Sequence, residues 1–136
     1  MKIMRLKRWQ TATLTALQLL FAACATSVLV YRARGWAPEV FDFGWFSYRA
    51  LNIYVSLAVI GYLVWGLLRG YRHALALLAV FSLFHLVEGV IIGFLSKAVI
   101  HLITLIMLAW IVLKKGARRL AESSTAREHG EIGAAE

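Results

Sequence analysis

Glu88 is the one acidic residue lying inside a long apolar stretch of this 136-residue chain. His85 stands three positions before it, so on a helix the two side chains share a face. His101 lies thirteen positions further on, and Asn52 belongs to an earlier stretch. A carboxyl held beside an imidazole can pass a proton to it, or take one from it. Two imidazoles and a carboxylate can also ligate a transition metal. Paired histidines can hold a haem iron, but a rise of about 1.5 Å per residue puts His85 near mid-membrane and His101 roughly 10 Å away in depth. That separation suits one iron poorly. The head group of a lipid or quinone could also meet such a cluster. A plainer role stands beside these: Glu88 bonds His85, His101 or Asn52 and fixes helix register. The residues leave these readings open and specify no metal or cofactor.

The elements that position these residues follow from hydropathy. Apolar residues make up 61% of the chain, mean hydropathy is +0.72, and a soluble domain is typically about half apolar. Four stretches approach or reach the roughly 20 apolar residues that a bilayer crossing needs: 11–31, 48–68, 74–95 and 98–113. The last is short, and Lys97 and Lys114 can extend it by snorkelling. A chain in hydrocarbon must satisfy its own backbone, so each is expected to be helical. The single proline, Pro38, lies between the first two. The predicted fold is an all-α membrane protein, an antiparallel four-helix bundle over 1–119, followed by a polar cytoplasmic tail over 120–136.

Charge sets the expected orientation. Eleven of the 15 basic residues fall at the amino end, in the 69–73 connection or after position 113. By the positive-inside rule both termini are cytoplasmic and the protein is multi-pass in the cell membrane. Trp9, Trp65, Tyr71 and Trp110 then mark the inner interface, and Tyr31, Trp36, Trp45 and Tyr48 the outer one. Net charge is +8, but the charges bracket the spans instead of lining a polar face, so no nucleic-acid partner is expected. The connections at 69–73 and 95–97 are short, which makes spans two, three and four neighbours in order. The 32–47 connection is rich in aromatics. Pro38 and Glu39 suit a helix start there, and Trp36, Phe41, Phe43, Trp45 and Phe46 would lie at head-group level.

Small and polar residues form stripes along the spans. Ser82, His85, Gly89, Gly93 and Ser96 recur at three- and four-residue steps, and Gly89 with Gly93 forms a Gly-x-x-x-Gly pair that admits a close helix. Cys24, Thr26, Asn52 and Tyr54 fall in the outer halves of spans one and two. Gln18 and Thr15 form a separate polar spot in the inner half of span one. Cys24 is the single cysteine, so no internal disulfide is possible. Leu20-Phe21-Ala22-Ala23-Cys24 reads either as a lipoprotein cleavage signal or as part of an uncleaved first span. The uncleaved span is expected, because the apolar run continues to Tyr31.

The stretch Leu67-Leu68-Arg69-Gly70-Tyr71-Arg72 resembles the basic inner hairpin of small prokaryotic four-helix membrane proteins. The chain is similar in size to the single-Glu multidrug exporters, whose essential acid lies in the first span. Here Glu88 lies in the third, which speaks against that family. There is no phosphate loop, zinc-finger spacing or hydrolase elbow. The expected function is therefore non-enzymatic: a membrane protein working through helix packing, as a homo-oligomer or as an accessory subunit beside other membrane proteins. The alternative is a small proton- or cation-coupled transporter or channel built on His85 and Glu88. A membrane enzyme, or a subunit that binds a cofactor or quinone, comes third.

Overall fold

The computed structural model describes residues 6–36 and 43–133, with side chains described as far as 117. Pro38, Glu39 and Phe41 lie outside the described residues. The described chain is helical in four pieces: α1 (Arg8–Ala33), α2 (Tyr48–Arg69), α3 (Arg72–Ile91) and α4 (Leu95–Gly133). All four are long and apolar enough to cross a membrane, α4 over Leu95–Ala117. This is the architecture of a multi-pass membrane protein. The remainder of α4 continues as one helix through most of the polar tail.

Local chemistry starts and stops these helices. At the start of α1, Gln10 turns back so that its Oε1 accepts from the Lys7 backbone N–H at 2.9 Å. Ser47 caps α2 by accepting from Ala50 N–H at 3.3 Å. The α2–α3 and α3–α4 corners use one shared device. Gly70 has φ +73° and Gly93 φ +72°, left-handed conformations that favour glycine. After each, the next N–H reaches back to the helix: Tyr71 to Gly66 O at 2.9 Å, and Phe94 to Gly89 O at 2.7 Å. Four residues before each turn a second glycine lets the following helix close in. A Cβ on Gly66 would stand 2.8 Å from Ala74 Cβ, and one on Gly89 would stand 3.0 Å from Ala98 N.

This corrects the expected role of Gly93. It lies in the turn, outside α3, and a Cβ there would meet nothing within 4 Å. Gly89 makes the close approach and Gly93 makes the turn. The predicted third span therefore ends four residues early, at Ile91 instead of Leu95.

The helices pack in a cycle, α1 on α2 and α4, and α3 on α2 and α4. Trp9 meets Trp110 at one end (ring centroids 5.5 Å apart) and Phe21 meets His101 midway (4.5 Å). We call the end where α1 finishes, α2 begins and the α3–α4 turn lies the loop end, and the opposite one the terminal end. Leu14, Leu63, Leu67, Leu78, Leu108 and Ile111 form an apolar core towards the terminal end. Most of the large apolar side chains that face outward are Leu, Val and Ile, such as Val55, Val80, Val90 and Ile106. Trp9, Trp36, Trp45, Trp65 and Trp110 are all exposed.

Candidate functional site

Five polar residues of α2, α3 and α4 converge at the loop end. Asn52 lies one turn into α2 and donates from Nδ2 to Glu88 Oε1 at 2.6 Å. One turn deeper on the same face, Ser56 Oγ lies 3.1 Å from His85 Nε2. His85 Nδ1 lies 3.0 Å from Glu88 Oε2. A single tautomer serves both bonds, with Nδ1–H donating to Glu88 and Nε2 accepting from the Ser56 hydroxyl. The Lys97 ammonium, at the start of α4, donates to Glu88 Oε2 as an ion pair. Glu88 thus gathers three donors from three helices. That is how a carboxylate can be kept at this depth, since an unpaired one would be costly.

His101 joins the cluster differently from what its spacing suggests. Its ring stacks on His85, centroids 5.1 Å apart and planes 23° apart, but no bond links it to Glu88. The early end of α3 explains why the two rings meet. His85 lies six residues before Ile91 and His101 six after Leu95, so the α3–α4 turn places them at one level. The expected depth difference of roughly 10 Å came from running span three through Gly93 and from starting span four at Ala98 instead of Leu95. Phe21 of α1 closes this layer, 5.1 Å from His85 and 4.5 Å from His101 by ring centroids. Among the described residues neither His101 nitrogen has a hydrogen-bond partner, although the residue is fully buried.

Other polar residues of the spans are placed variously. Cys24 is half-buried, free, and on the wall of the cavity beside the network, while Thr26 and Tyr54 face outward. Ser82 is fully buried one turn below His85. Gln18 is also fully buried, in the centre of the bundle.

Beside the network lies an open cavity of about 240 Å³. Its lining includes the bonded set Asn52, Ser56, His85, Glu88 and Lys97, and also Arg49 and Ser96. Its walls are mostly apolar and include four aromatic side chains, Phe21, Phe43, Tyr48 and Phe94. The sequence reading missed Lys97, Ser56 and Phe21. Two signals were available: Lys97 and Glu88 flank a tight turn with opposite charges, and Ser56 follows Asn52 by four residues on one helical face. Among the described residues no group of three or more His, Cys, Asp or Glu is arranged to hold a metal ion. A cation at Glu88 would have to displace Lys97. Comparison with protein-family models, with curated proteins and with solved structures finds no match to this chain.

Proposed function

We propose that this chain is a non-enzymatic subunit of the cell membrane that binds the small polar head of a membrane amphiphile at its loop end. In this reading the helices form an antiparallel bundle, both termini are cytoplasmic, and the aromatic 32–47 connection faces outward. The bias of basic residues towards the terminal end supports that orientation.

The observation that carries the proposal is the cavity with its split lining. Ligand sites are mostly apolar with a few convergent polar groups, and this one sets aromatic side chains beside the bonded group of Asn52, Ser56, His85, Glu88 and Lys97. Its volume lies a little below the roughly 300–1,000 Å³ of drug-sized sites, so it fits a head ring or a short polar group and leaves a hydrocarbon tail among the lipids. A quinone, a phenol or a hydroxylated lipid head has that form. Its action on other proteins would be exerted through these helices within the bilayer, as an oligomer or an accessory subunit.

A proton- or cation-coupled transporter is the second reading, favoured by Glu88 lining an open cavity. Against it, Lys97 already occupies the carboxylate, and the apolar core closes the terminal end.

Purification of the full chain in mild detergent, followed by mass spectrometry of intact complexes and extracted lipids, tests the proposal. An amphiphile should accompany the wild type and be lost from Val28→Trp, which fills the cavity from α1. Absence of any retained amphiphile, or equal retention by the variant, would sink it. For orientation, single cysteines at Lys2 and Ser124 in a Cys24-free background should resist impermeant thiol reagents in intact cells.

A further inference from the structure

We infer that the bundle contains a second site, an enclosed chamber that binds water molecules, one layer below the cavity. Five buried side-chain atoms carry the inference. Gln18 Oε1 and Nε2, Ser82 Oγ, and His101 Nδ1 and Nε2 lack any hydrogen-bond partner, and all three residues are 0% exposed. Helix register puts the three in adjacent layers of the bundle. Gln18 is one turn from Phe21 on α1, Ser82 is one turn from His85 on α3, and Phe21, His85 and His101 form one ring layer. Each of those steps runs towards the terminal end. The same step along α4 reaches Thr104, also 0% exposed, whose hydroxyl is used on Ile100 O at 2.9 Å.

One further turn on each helix reaches Leu14, Leu78 and Leu108, and Leu63 of α2 joins them in the buried apolar core. The polar layer is therefore closed below by leucines. Above it stands the ring layer, whose Phe21 and His85 also line the cavity. Buried polar atoms without partners are rare, and those in real proteins are commonly satisfied by internal water making two to four hydrogen bonds. A hydroxyl, an amide and an imidazole buried in adjacent layers supply donors and acceptors for about two molecules. The site suits water and not an ion, because it contains no charged group. Water reaches it from the loop end, past the ring layer. The chamber stands whether or not the cavity binds an amphiphile.

The test uses nitrogen-15-labelled full chain in liposomes and solid-state NMR with polarisation transferred from water. The His101 ring signals are assigned by their loss in His101→Phe. They should receive water magnetisation on the timescale of His85, several-fold faster than the Leu78 amide. Transfer as slow as that of Leu78 would overturn the proposal. Thermal melting of Gln18→Leu in detergent gives a second readout. If water bridges Gln18 to His101 and Ser82, the variant strands those partners and melts roughly 4 °C lower. If the amide is simply bare, its removal raises the melting temperature, and the chamber is refuted.

Discussion

The chain turns at Gly70 and at Gly93 with the same spacing of glycines and ends in different chemistry. At the α2–α3 corner, Gly66 admits Ala74, and the nearby polar contact, Tyr62 Oη to His73 Nε2 at 2.7 Å, is exposed. At the α3–α4 corner, Gly89 admits Ala98, and the residues alongside are Glu88 and Lys97, tied to Asn52 and His85. Glycine spacing thus builds the corner and carries no information about function. What distinguishes the two is whether the flanking polar side chains are drawn into the bundle or left on its surface.

That contrast can be broken experimentally. The largest effect is expected at Glu88. Glu88→Leu removes the shared partner of Asn52, His85 and Lys97, and should cost about 3 kcal/mol in unfolding measurements in detergent. Glu88→Gln keeps the bond to Asn52 and should cost about 1 kcal/mol. If both variants melt like wild type, the loop-end network contributes no stability. The corners themselves should respond alike: Gly66→Val and Gly89→Val overpack against Ala74 and Ala98 and should each cost about 2 kcal/mol. Gly61→Val is the control, because a Cβ there meets nothing within 4 Å. A large loss at only one corner would show that the shared geometry hides unequal packing. Ser56→Ala, which takes one partner from buried His85, should cost about 1 kcal/mol. Smallest of all, Tyr62→Phe at the exposed contact should stay within about 0.5 kcal/mol of wild type. A cost there equal to that of Ser56→Ala would erase the distinction between a drawn-in and a surface polar pair.

Much of the fold is legible in the apolar runs. Spans 11–31 and 48–68 match α1 and α2 to within three residues, because hydropathy falls sharply at Arg32, Arg34 and Arg69. The third and fourth boundaries are harder to read. Gly93 continues the three- and four-residue stripe of Ser82, His85 and Gly89, and nothing in that periodicity distinguishes a packing glycine from a turn glycine. The site inherits the difficulty. Asn52, His85 and Glu88 share depth and polarity and are found together. Lys97 at a membrane boundary has an ordinary reading as a snorkelling anchor, and only the tight turn before it brings its ammonium back onto Glu88. Phe21 carries no polar signal, although it packs against both histidines.

The ion pair between Glu88 and Lys97 also bears on how the chain enters a membrane. In the proposed orientation the α3–α4 corner has to be carried across the hydrocarbon during synthesis, and a lone lysine there would resist the crossing. Glu88 lies nine residues before it, so the hairpin contains its own counterion and can cross as an electrically neutral unit. A mutation at Glu88 would therefore act on the yield of inserted protein before it acts on the folded molecule.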